Sequence, residues 1–122
     1  MKILIILTVL MGLNSKEAMA FERSEAFIVK VFHQKVKVLS PAVMKKMQAI
    51  IVENKTLVKL IGKVENHRGK ILGFVSIAPG KFQSLEFKMN KGIKYFFIPM
   101  APASQEIELL IGKKSYEIPP KK

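Results

Sequence analysis

No cysteine or aspartate occurs in this chain of 122 residues, and each absence closes off some chemistry. Without thiols there is no disulfide, no lipid anchor on an N-terminal cysteine, no Cys-His nucleophile and no thiolate for a blue-copper electron-transfer site. Packing alone must hold the fold together. Without aspartate, carboxylate chemistry falls to the glutamates, and a serine-histidine triad would need glutamate as its orienting group. The spaced glycines of a nucleotide-binding loop are also missing, since Gly112-Lys113-Lys114 reads as a hairpin turn.

The chain opens with Met1-Lys2, an apolar run of eleven residues from Ile3 to Leu13, and small residues ahead of Phe21. That order is the pattern of a secretory signal peptide, and the run is shorter than the roughly 20 residues of a membrane span. The sequence predicts cleavage after Ala20 and a periplasmic or secreted protein. Residues 21–122 then form one domain, with the tail Pro119-Pro120-Lys121-Lys122 outside the fold. A chain of 102 residues buries roughly 60 to 70% of its unfolded surface, enough for one core.

In that exported part 19 lysines and arginines face 8 glutamates, a net charge of +11. The excess favours anionic partners, an envelope or extracellular protein or an anionic polymer. Seventeen of those cations are lysine and two are arginine. Planar, bidentate reading of phosphates and bases favours arginine, so nucleic acid is not expected.

From Ala26 onward short runs of β-branched and aromatic residues alternate with turn signals such as Asn66-His67-Arg68-Gly69, Pro79-Gly80 and Asn90-Lys91-Gly92. The spacing predicts strands near 26–32, 35–39, 48–54, 57–64, 70–77, 82–89, 93–99, 105–111 and 114–118. Leu85, Phe87 and Met89 share one face of their strand while Ser84, Glu86 and Lys88 share the other. Ile107, Leu109 and Ile111 likewise point inward. The segments ILGFVSI and KYFFIPM are apolar on both parities, which suggests central or covered strands. The expected class is all-β, an antiparallel β-sandwich of about 7–9 short strands with immunoglobulin-like architecture and a cupredoxin-like topology as alternative. One short helix is invited after Ser40-Pro41, an N-cap followed by a proline at the first helical position.

The stretch FIVKVFHQKVKVL, residues 27–39, changes phase. Phe27, Val29 and Val31 are apolar at odd positions, Val36 and Val38 at even ones. A strand has period two, so the slip implies a bulge or bend near His33-Gln34, letting one strand feed two sheets. It also leaves Lys30, Lys35 and Lys37 facing outward.

Site chemistry is thin. Glu106 and Glu108 read as a solvated strand face, and Ser84, His67 and Glu65 have no triad-like spacing. His33 and His67 lack metal-ligand spacing; a copper carrier would combine one of them with thioethers from Met44, Met47, Met89 or Met100. Asn54-Lys55-Thr56 matches a glycosylation pattern that also arises by chance. The leading expectation is a non-enzymatic binding or structural module of the envelope or extracellular space, without a cofactor. Its candidate surface is Lys30, Lys35, Lys37, Lys59 and Lys63 for charge, with Phe96 and Ile98 for apolar contact and Met100 beside them. The alternative is the copper carrier.

Overall fold

The computed structural model describes residues 25–113 and 115–118. The expected leader and the PPKK tail lie outside the described residues. Nine strands follow one another: β1 (Ala26–Val31), β2 (Val36–Leu39), β3 (Met47–Asn54), β4 (Leu60–Asn66), β5 (Ile71–Ile77), β6 (Phe82–Lys88), β7 (Tyr95–Ala101), β8 (Ile107–Glu108) and β9 (Ser115–Ile118). They form a five-stranded sheet in the order β6-β3-β1-β2-β9 and a four-stranded sheet in the order β5-β4-β7-β8. All pairings are antiparallel except β1 with β3, which is parallel. The fold is all-β and has two layers.

Alternation places the core between the layers. Phe27, Val29, Val38, Ile50 and Val52 from the first sheet meet Leu60, Val64, Val75, Phe97 and Ile107 from the second, all essentially inaccessible to water. Each such side chain contributes about 1.5 to 3 kcal/mol of burial free energy. Phe87 and Met89 are buried as their parity requires, and the Phe87 ring lies 5.3 Å from that of Tyr95 across the sheets. Gly62 of β4 makes room for a ring from the neighbouring strand β7 on the inner face of the same sheet. A Cβ there would stand 2.6 Å from Cζ of Phe97, so the ring fills the space a side chain would take. A smaller apolar cluster of Ala26, Ile28 and Ile51 lies on the other face of the five-stranded sheet, with Leu39 and Ala49 against it.

Three local expectations change. The phase slip in residues 27–39 is a chain reversal, not a bend shared between sheets: β1 and β2 pair antiparallel, Val31 opposite Val36, and the Phe32 N–H donates to the Lys35 carbonyl at 2.8 Å. A reversal resets parity as a bulge does. Residues 40–46 form no helix; they carry the chain past the start of β1 to β3. Their polar groups are committed elsewhere: the Pro41 carbonyl accepts from Gly112 N–H, and the Ser40 hydroxyl accepts from Lys113 N–H. The both-parity apolar run ILGFVSI is an edge strand, β5, with Phe74 exposed, whereas KYFFIPM is interior as β7.

Turn chemistry fixes the corners. In Ala78-Pro79-Gly80-Lys81 the Lys81 N–H donates to the Ala78 carbonyl and Gly80 has φ +78°, a type II turn with proline and glycine where that turn wants them.

Candidate functional site: a cleft at the strand ends

The sandwich has two ends. At one of them β1, β3, β5 and β7 finish, and three connections come together: residues 32–35 between β1 and β2, 55–59 between β3 and β4, and 102–106 between β7 and β8. They enclose a cleft of about 510 Å³. Its floor is the end of the core, Val31, Val36, Leu60 and Pro99, and Ile118 of β9 closes one side. Phe32, Leu57, Val58 and Pro102 form the walls. Leu57 is 92% exposed and Val58 51% exposed, unusual placements for two adjacent aliphatic residues. The basic rim comes from His33 and Lys35. Lys35 Nζ lies 5.7 Å from the centre of the Phe32 ring and 3.7 Å from a Glu117 oxygen. That ion pair is half exposed and so holds Lys35 only loosely.

The wall carrying Leu57 and Val58 is anchored by Asn54, which is fully buried. Its amide nitrogen donates to the carbonyls of Val58 at 2.8 Å and Ile77 at 2.9 Å. Its amide oxygen accepts from the Thr56 N–H at 2.9 Å and the Thr56 hydroxyl at 2.6 Å. All four hydrogen-bonding positions of the side chain are used. The Thr56 hydroxyl also contacts the Val58 carbonyl at 3.0 Å. This node turns the chain out of β3, so that residues 57 and 58, expected to open a strand, instead stand in a loop. It also gives Asn54-Lys55-Thr56 a structural explanation in place of a glycosylation one.

The seven residues expected to form one surface are distributed over the molecule. Lys30 and Lys37 lie opposite each other on the outer face of the five-stranded sheet. Across it runs the row Phe82, Glu53, Lys30, Lys37, Glu117, in which acids flank the two lysines. Lys35 reaches the cleft rim, and Lys59 is exposed in the loop after Val58. Lys63, Phe96 and Ile98 occupy the outer face of the other sheet: Lys63 pairs in register with Ile98 and with Phe74, and Glu65 with Phe96. Lys63 Nζ sits 3.2 Å from a Glu65 oxygen. Phe96 and Ile98 are half buried and Met100 is exposed there. Phe32, Leu57, Val58 and Pro102, which shape the cleft, escaped sequence reasoning because they come from three separate connections. The one available signal was a pair of adjacent aliphatic residues following Asn54-Lys55-Thr56.

The two histidines cannot share an ion. His33 is at the cleft end and His67 at the other, separated by the length of β4, roughly 20 Å for its seven residues. His67 Nδ1 accepts a hydrogen bond from the Lys94 N–H at 3.0 Å. Among the described residues no three His, Asp or Glu side chains converge. Ser84 lies on the outer face of the five-stranded sheet, away from His67 and Glu65, so these three make no triad. Among the described residues no helix is long and apolar enough to cross a membrane. No family model, curated protein or solved structure matches the chain.

Proposed function

We propose that this protein is an exported, non-enzymatic module with immunoglobulin-like architecture that binds an apolar segment of an acidic protein partner in the cell envelope or outside the cell. One observation carries the reading: a cleft of about 510 Å³ bounded by the exposed Leu57 and Val58 and rimmed by His33 and Lys35. Its volume falls in the range of ligand pockets, which combine apolar walls with a few polar groups that orient the occupant. Apolar contact supplies affinity, and the positive charge of the chain steers acidic partners toward it. The immunoglobulin-like assignment rests on layering and on strand number and length; the parallel β1–β3 pair inside the larger sheet departs from that architecture. For the copper-carrier reading, no group of three His or Glu side chains converges among the described residues.

The test is a paired capture from envelope extract at low and high salt, with the wild-type chain and with a Leu57→Ser, Val58→Ser variant. A defined partner that weakens with salt and is lost in the variant supports the reading. A partner held equally by both proteins refutes the role of the cleft, and capture of nothing refutes the binding reading.

A further inference from the structure

The opposite end of the sandwich carries a second cavity, of about 380 Å³, in the seam between β5 and β6. Its polar lining consists of Asn66, Arg68, Lys70, Lys88, Asn90 and Tyr95. No acid lines it. The glutamates nearest in sequence are Glu65, which pairs with Lys63 at 3.2 Å, and Glu86, which shares the outer face of β6 with Lys88 but does not line the cavity. Among the described residues no carboxylate lies within ion-pair distance of Arg68, Lys70 or Lys88. Arg68 is the single arginine among the described residues, so the one side chain suited to bidentate oxyanion binding stands at this cavity.

The neutral groups are committed in the same sense. The Asn66 amide oxygen accepts from the N–H groups of Arg68 at 2.9 Å and Lys70 at 3.0 Å. That fixes the amide orientation and leaves its NH₂ as a pair of donors with no partner among the described residues. Tyr95 is 2% exposed, and its phenolic oxygen accepts from the Asn90 N–H at 2.8 Å. Its own hydroxyl proton has no acceptor among the described residues. A buried donor without an acceptor is costly and calls for a ligand or solvent partner. The cavity thus offers three cations and several neutral donors, and no carboxylate is among its described lining residues.

We propose that this cavity binds the phosphoryl group of an anionic ligand, with Arg68, Lys70 and Lys88 neutralising its charge and Asn66, Asn90 and Tyr95 donating to its oxygens. A phosphoryl group matches the donor set better than a carboxylate, because it presents more acceptor oxygens, directed in three dimensions. The group can come from a soluble phosphate or from a lipid head group.

The experiment uses the full chain at fixed salt, in three forms: wild type, an Arg68→Ser, Lys88→Ser variant, and a charge-matched Lys55→Ser, Lys81→Ser variant altered at the other end. Calorimetric titration with inorganic phosphate is one arm. Co-sedimentation with vesicles of equimolar phosphatidylglycerol and phosphatidylcholine, against phosphatidylcholine alone, is the other. Saturable phosphate binding that weakens about tenfold or more in the first variant and persists in the second supports the site with a soluble ligand. Absence of phosphate binding, with a preference for phosphatidylglycerol that only the first variant loses, supports it with a lipid head group. Equal loss in both variants would show diffuse charge attraction and overturn the proposal, as would no binding in either arm.

Discussion

Replacing Asn54 by alanine removes the node that holds the cleft wall, and its cost can be worked from four contacts. The Thr56 N–H loses its acceptor, and the carbonyls of Ile77 and Val58 each lose a donor. The Thr56 hydroxyl keeps a second partner, the Val58 carbonyl at 3.0 Å, which softens the loss at that position. A buried polar group left unsatisfied costs about 1 to 3 kcal/mol, so the variant should lose about 3 to 5 kcal/mol. For a domain near 100 residues that lowers Tm by about 15 to 30 °C. Urea unfolding followed by circular dichroism measures it. Asn54→Asp sharpens the argument, because it keeps an acceptor for Thr56 but turns the donor into a charged oxygen facing two carbonyls. Burial and those carbonyls raise the folded-state pKa of such a carboxyl. The folded protein then binds a proton before the unfolded chain does, so this variant should gain stability as pH falls from neutrality toward the unfolded carboxyl range. A loss below about 1 kcal/mol in Asn54→Ala, or stability of Asn54→Asp that falls with acidification faster than wild type, would refute the reasoning.

Other expectations follow from individual contacts. Gly62→Ala forces a methyl group to within 2.6 Å of the Phe97 ring and should cost about 1 to 3 kcal/mol, part of which a smaller residue at 97 restores in a double-mutant cycle. Tyr116 donates its hydroxyl to the Glu108 carbonyl at 2.7 Å and accepts from the Leu110 N–H at 3.0 Å. Burial, with a smaller contribution from Glu108, raises its pKa above the usual 10.0 against the opposing effect of the Leu110 hydrogen bond. The unfolded chain therefore releases this proton first, and stability that is intact below about pH 10 is lost as pH rises through the folded-state value. Tyr116→Phe should be less stable at neutral pH but flatten the alkaline decline, as read by thermal melts across that range. Lys30→Ser with Lys37→Ser should leave partner binding at the cleft unchanged, because both lysines lie on an outer sheet face between Glu53 and Glu117. Lys35→Ser should weaken that binding by about 1 kcal/mol or less, an effect that shrinks as salt is added.

Much of the fold is legible in the alternation of single strands. The inward set Phe87 and Met89, and the pair Ile107 and Leu109, follow from period two because each strand has one wet face. What alternation does not carry is the direction of the chain after a phase change. A bend and a reversal both reset parity at His33-Gln34, and only pairing between β1 and β2 decides between them. The same blindness made β5 look interior, since an exposed Phe74 at an edge reads like a buried one. Ser40-Pro41 is a sound helix start by local propensity, overridden because Gly112 and Lys113, some 70 residues away, claim its oxygens. The cleft was beyond reach for a related reason. Its walls are assembled from connections far apart in sequence, and Asn54, the residue that positions one of them, resembles a modification signal until its four hydrogen bonds are seen.

The central claim, that the protein binds its partner at the strand-end cleft, is tested most directly by amide-resolved NMR titration with a captured partner. The account expects shifts concentrated in residues 32–35, 55–59 and 99–104, with the amides of Lys30 and Lys37 and those of Lys63, Phe96 and Ile98 unmoved. Shifts centred on Lys63, Phe96 and Ile98, with the cleft silent, would contradict it.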